Sequence, residues 1–304
     1  MNMNVKINFD KASGKYNCEI DGNKFKTANT GYIEYKYKQI TGEKKSFAEL
    51  TNAKPAPVAA DKFGINQRFD FVEKLITMVA ANVQASAVIT GQGGLGKSYT
   101  VMKTLKASGL KDATTFDEYE IGSVVNRAKT FATVKGYSTP KGLYRTLFEN
   151  NGSVIVFDDC DSVLKDPVAL NLLKGALDSY DRRYISWNAD MRDEDLPRSF
   201  EFTGRIVFIS NLSQDKIDQA IRSRSMMIDL SMNDDQKIER MEAIIASDEF
   251  LPEYTTQAKT DAIKFIKKVK ANVKELSLRT LISVTKIAST NEDWEQLAEY
   301  MICA

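Results

Sequence analysis

Residues 87–98 read AVITGQGGLGKS and constrain this chain more than any other stretch. An apolar, β-branched run enters a glycine-rich turn that closes on Gly-Lys-Ser, so residues 91–98 fit the spacing G-x-x-x-x-G-K-[S/T]. Glycine tolerates left-handed and tightly curved backbone, which lets successive amide groups converge on one anion. In that pattern Gly91, Gln92, Gly93, Gly94, Leu95 and Gly96 form the cradle. Lys97 sets a point charge against the outer phosphates, and Ser98 offers a hydroxyl to Mg2+. Tyr99 opens a stretch with helical spacing at Val101, Met102 and Leu105, which brings a helix N-terminus to the phosphate. An ordinary glycine-rich turn would not be expected between such a strand and such a helix.

With 304 residues the chain can bury a large core, as one large or two small domains. A net charge of +1 provides no global attraction to nucleic acid, so any such contact is local. Cys18, Cys160 and Cys303 stand far apart without a C-x-x-C pair, which suggests neither a disulfide framework nor a zinc site and points to a reducing, cytoplasmic home. The absence of histidine removes Ser-His-Asp and His-metal chemistry and leaves carboxylates, Lys, Arg and metal. No apolar run approaches the ~20 residues of a membrane span, and residues 1–9 do not read as a signal peptide.

Residues 1–57 read as a small β-rich module. Val5, Ile7 and Phe9 alternate, as do Tyr16, Cys18 and Ile20, with turn signals between. The module holds ten lysines, no arginine and six acids, and Tyr32, Tyr35 and Tyr37 interleave with Lys36 and Lys38. Such a mixture suits either stacking on a nucleic-acid strand or a solvated β surface used for docking. Lys54, Pro55, Ala56 and Pro57 form a stiff linker.

Residues 58–230 alternate strands and helices. An amphipathic helix carries Val72, Leu75, Ile76 and Val79, residues 109–129 look like an insertion, and residues 131–134 are a candidate strand. Thr139-Pro140 and Asp166-Pro167 open further helices. Residues 182–187 and 199–202 resemble two strands joined by a charged loop, and residues 231–304 are helical throughout. The expected class is α/β: a wound parallel sheet, then a helical lid over residues 231–304.

Two buried strands end in candidate chemistry. SVIVF runs into Asp158, placed to hold Mg2+ with Ser98, and then Asp159, placed to polarise a water. Asp161 follows two residues on. The strand IVFIS ends at Asn211, a polar group for the γ-phosphate, while Arg222 and Arg224 are candidates to neutralise charge there or to serve as salt-bridge partners.

In order and spacing these motifs resemble those of AAA+ ATPases over residues 61–304. GQGGLGKS resembles Walker A, VIVFDDCD resembles Walker B, Asn211 matches sensor 1, Arg224 in Ser-Arg-Ser matches the arginine finger, and Arg279 in LSLRTL matches sensor 2. The resemblance implies ATP and Mg2+ as cofactors, ATP hydrolysis, and a homo-oligomeric ring, most simply a hexamer, whose finger serves a neighbour's nucleotide. It also implies that Phe63, Gly64 and Ile65 close on the adenine. The family usually carries Glu where Asp159 stands, which leaves open a slow or non-hydrolysing switch.

Lys135-Gly136-Tyr137-Ser138 resembles a substrate-gripping pore loop; the alternative is a strand-end turn with a core tyrosine. The strand pair before Asn211 resembles the hairpin of the MoxR, ClpX and RuvB branch, whose members act on protein and on DNA. The implied object is a protein target. The alternative is DNA, met by the basic module or by Arg182 and Arg183.

Overall fold

The computed structural model describes residues 5–10, 13–42, 45, 50, 62–113, 126–188, 196–290 and 293–303. The linker at residues 54–57, most of the 109–129 insertion and the charged loop at 189–195 lie outside the described residues. The chain forms two compact units, Met1–Lys62 and Phe63–Ala304.

In the first unit β1 (Val5–Asp10), β2 (Lys15–Ile20) and β3 (Asn23–Thr27) form an antiparallel sheet in that order. Alternation sends Ile7, Cys18 and Phe25 to one face, where Ile33 and Tyr37 are buried. The tyrosine-lysine segment is not strand, as expected, but helix: α1 spans Thr30–Thr41. Ile33 and Tyr37 are four apart and both buried, Asn29 caps the Gly31 and Tyr32 amides, and Gly42 ends the helix at φ +78°. Tyr32 and Tyr35 remain exposed.

The second unit is built on six parallel strands in the order β11-β4-β10-β7-β6-β5: β4 (Ser86–Thr90), β5 (Lys111–Asp112), β6 (Thr130–Lys135), β7 (Val154–Asp158), β10 (Arg205–Ser210) and β11 (Met226–Asp229). Parallel sheets are covered on both faces, and their central strands therefore read as continuous apolar runs. Ala87, Ile89, Val156 and Val207 pack with α2 (Ile65–Ala80) and α3 (Lys97–Ala107). Val88, Ile155, Phe157 and Phe208 pack on the other side with α4 (Pro140–Glu149) and α5 (Pro167–Ala176). The side chains of Thr139 and Asp166 cap these last two helices ahead of their prolines, as the sequence indicates. β8 (Tyr184–Ser186) and β9 (Ser199–Glu201) form an antiparallel pair, and the four-residue α6 (Gln219–Arg222) precedes β11.

Residues beyond β11 form α7 (Asp234–Ile245), α8 (Thr256–Val269), α9 (Leu278–Ala288) and α10 (Trp294–Cys303) around a separate apolar cluster that includes Met241, Ile266, Leu281 and Val284. In α10 Ala298 is fully buried, while Leu297 and Met301 are exposed. Among the described residues no helix is long and apolar enough to cross a membrane.

Candidate functional site

Because the sheet is parallel, β4, β6, β7 and β10 all end on one edge, where open α/β sheets place their ligands. Four segments of chemical interest leave from it. The glycine loop leaves β4 and returns as α3, with Gly91, Gly94 and Gly96 at φ +139°, +70° and +89°. Gly91 also permits a close approach, since a β-carbon there would stand 2.9 Å from the Leu230 carbonyl carbon. Lys97, 5% exposed, turns back into this loop and donates to Gly91 O and Gln92 O, each at 2.7 Å. Burial pulls its pKa below the ordinary lysine range, opposed by the charges of Asp159, Asp158, Asp161 and Asp229.

Lys97 also reaches across strands. Its Nζ donates to Asn211 Oδ1 at 2.9 Å, and Asn211 Nδ2 donates to Asp159 Oδ1 at 2.7 Å. Asn211 thus joins the lysine of the loop to a carboxylate after β7. Asp159 adopts φ +56°, a left-handed conformation that Asp and Asn accept more readily than other non-glycine residues. Its amide donates to Ile209 O at 3.1 Å, which holds the turn against β10.

Beside this chain, Ser98 Oγ donates to Asp158 Oδ1 at 2.7 Å, and Lys135 Nζ lies 3.1 Å from Asp158 Oδ2. Asp161 is taken up by the Ser210 hydroxyl at 2.6 Å. Cys160 lies between these acids, buried, with its thiol on Val134 O, and burial together with Asp158, Asp159 and Asp161 pushes its pKa up to about 11. That thiol is a packing group, not a nucleophile.

The helical segment meets the loop directly. Leu278 N donates to Gly94 O at 2.9 Å, and a β-carbon on Gly94 would stand 3.2 Å from Ser277 Cβ. Arg279 lies beside the same glycine, exposed, and lines a cavity of about 530 Å³. Its apolar wall includes Tyr99, Ile244, Phe250, Leu278 and Ile282. The Tyr99 hydroxyl and Lys103 both engage Glu249 at its rim.

Phe63, Gly64 and Ile65, expected to close on a base, do not line this cavity. Ile65 is fully buried in the core and Phe63 packs edge-on to Phe71. Of the lining residues in the 230–290 region, only Arg279 was expected from the sequence. Their apolar side chains are spaced as any core helix, and the distance in sequence to Gly94 carries no local signal.

Arg222 and Arg224 are not brought to this edge. Ser86, the first residue of β4, donates its hydroxyl to Arg224 O at 3.1 Å, and Arg224 Nη1 donates to Ala220 O. Four strand steps, about 13 Å, separate that end of β4 from the loop. Arg222 is exposed. Arg182 and Arg183, named for the alternative of DNA, both have partners within the chain, although the Arg182 side chain stays exposed. Arg182 forks onto Glu201, and Arg183 donates to Ala176 O and Gly204 O. Tyr137 is 81% exposed on the connection from β6 to α4, which excludes a core tyrosine.

No protein-family profile matches the chain. It is similar, at 28% identity over 309 residues, to an uncharacterized 36.7 kDa protein from the nrdC-mobD intergenic region of Enterobacteria phage T4, the alignment covering 95% of this chain and 86% of that protein. The likeness therefore runs through both compact units.

Proposed function

We propose that this chain is an ATP-binding, Mg2+-dependent ATP hydrolase of the AAA+ type, working as a homo-oligomeric ring. The observation that carries the reading is the hydrogen-bonded series Lys97, Asn211 and Asp159 beside the Ser98–Asp158 pair, all at the carboxyl edge of a parallel sheet. Loop amides and Lys97 bind and orient the phosphates, since a phosphate offers Lys97 an anionic acceptor in place of two carbonyls. Asp159 accepts a proton from the attacking water, and Asn211 holds that carboxylate in place.

The donor set suits Mg2+. Among the described residues no group of three or more His, Cys, Asp or Glu could hold a metal by itself, whereas Ser98 and Asp158 present a hydroxyl and a carboxylate oxygen at one point. Mg2+ characteristically combines one or two carboxylates with water and substrate phosphates, and it would neutralise charge on the phosphate chain. The cavity walled by Tyr99, Ile244, Leu278 and Ile282 suits an aromatic base.

The object of the motor is proposed to be a protein, gripped through Tyr137. Exposure of that ring beside Gly136, at φ +86°, supports the reading. A second reading, DNA, rests on the polar face of the first unit's sheet. Its cross-strand rows are Lys6, Glu19, Lys24 and Asn8, Asn17, Lys26, a wholly polar surface with an excess of lysine. Hydrolysis stimulated by DNA and suppressed by salt would select it.

The test of the chemistry is ATP turnover and binding in Lys97→Ala and Asp159→Asn. Lys97→Ala is expected to lose ATP binding. Asp159→Asn is expected to bind ATP and lose at least about 10²-fold in rate, the smaller end of what a general base contributes. Wild-type turnover in either variant overturns the assignment.

A further inference from the structure

Lys135 and Asp158 are the last residues of two neighbouring parallel strands and stand opposite one another in register. Their ion pair, at 3.1 Å, is asymmetric. The Asp158 side chain is 5% exposed and already holds the Ser98 hydroxyl on its other oxygen, whereas the Lys135 side chain is 69% exposed. The carboxylate is therefore the fixed partner and the lysine the movable one, since a long exposed side chain gives up little by returning to water.

We infer that Lys135 is an internal counter-cation for Asp158, that a divalent ion and the Lys135 ammonium exclude one another there, and that metal binding frees the segment that Lys135 anchors. This rests on the reading above, in which Asp158 and Ser98 hold the metal. Two cations at one carboxylate repel, and the nearly dry surroundings of Asp158 weaken the screening that would relieve them. With the lysine in place, the second carboxylate oxygen is occupied and the local charge is offset. With a divalent ion in place, Lys135 must withdraw. Lys135 is thus a positioning residue, acting through Asp158.

The consequence reaches beyond the site because Lys135 opens the connection that carries Gly136 and Tyr137. Gly136, at φ +86°, would meet nothing within 4 Å if it bore a β-carbon, and Tyr137 is exposed. The connection becomes regular only where Thr139 caps α4. The ion pair at Asp158 therefore adds a side-chain tether where the β6–β7 pairing stops and the open turn begins, so occupancy of the metal position is reported to the tyrosine.

The experiment titrates Mn2+ into full-length protein at saturating ADP, reading free Mn2+ by electron paramagnetic resonance, for wild type, Lys135→Ala, Lys135→Gln and Lys135→Arg. Mn·ADP forms equally in every sample, so differences between variants belong to the protein. Removing the ammonium is expected to tighten Mn2+ binding about tenfold in the Ala and Gln variants, with Arg close to wild type. Hydrogen exchange of the amides of residues 136–138 is expected to accelerate on adding Mn·ADP to wild type and to be fast without it in Lys135→Ala. If wild type binds Mn·ADP and the Ala and Gln variants bind it no more tightly, the counter-cation is overturned while the metal reading stands. If wild type binds no Mn·ADP, the metal reading falls and the inference with it. Exchange indifferent to metal in wild type overturns the link to Tyr137.

Discussion

Asp159 and Cys160 show how one strand end sets neighbouring residues to different tasks. Asp159 turns outward through a left-handed backbone and meets Asn211, while Cys160 turns inward among apolar side chains with three aspartates close by. The pKa of the thiol, raised to about 11, has two measurable effects. The first is reactivity. Cys160 and Cys18 are buried and Cys303 is half-exposed, so iodoacetamide at pH 8 is expected to label Cys303 well ahead of both, as peptide mass spectrometry would resolve. Early labelling of Cys160 would show that the strand end opens readily. The second effect is on stability. Below the ordinary thiol value of 9.0, folded and unfolded chains both keep the proton, and pH does not act through this group. Above it the unfolded chain ionises first, so the contribution of Cys160 is lost as pH rises from 9 toward 11.

Arg205 governs stability among the elements. It opens β10 at 3% exposure, and its guanidinium donates to Ala80 O at 2.9 Å and to Ala128 O and Gly152 O at 3.1 Å, with a longer contact to Val79 O. The end of α2 and the turns before β6 and β7 thus converge on one side chain. Arg205→Met keeps the length but removes the guanidinium donor from Ala80 O, Ala128 O and Gly152 O, whereas Val79 O keeps the Asn82 amide. Each buried unsatisfied group costs about 1–3 kcal/mol, so a loss of at least about 3 kcal/mol in urea unfolding is expected. A loss below about 1 kcal/mol would mean that water satisfies the carbonyls. Nothing local in the sequence announces this arginine, because its partners lie far apart along the chain. The strands themselves were legible: residues 154–157 and 206–209 are unbroken apolar runs, which a sheet covered on both faces requires. Residues 30–41 misled because Tyr35, Lys36, Tyr37 and Lys38 alternate as a strand would, while the burial that decides the matter follows Ile33 and Tyr37 at helical spacing. The glycine loop and its two partner strand ends were legible for a different reason, since the residues that converge there each terminate an apolar strand. The cavity wall was not, because Ile244, Leu278 and Ile282 reach Gly94 and Gly96 only through the packing of the helical segment.

At the scale of the whole molecule, the position of Arg224 separates two forms of the proposed hydrolase. It is tied to the base of β4, at the opposite end of that strand from the glycine loop, so it cannot complete the site of its own chain. A catalytic role for it requires a second copy whose loop faces this edge. The expected behaviour of Arg224→Ala is therefore intact ATP binding with hydrolysis reduced about 10³-fold, the lower end of what a supplied arginine contributes. Lys97→Ala has the complementary defect, an impaired loop with Arg224 intact. Mixed in equal amounts, the two variants can form junctions that pair the sound loop of one with the arginine of the other, and a substantial fraction of the wild-type rate is expected to return. The rate per subunit of the wild type should fall on dilution, as assembly is lost. Steady-state phosphate release across a protein dilution series, with the mixed sample alongside, measures both. Failure of the mixture to regain activity, or a wild-type rate indifferent to dilution, would confine catalysis to single chains and leave Arg224 as a clasp on α6.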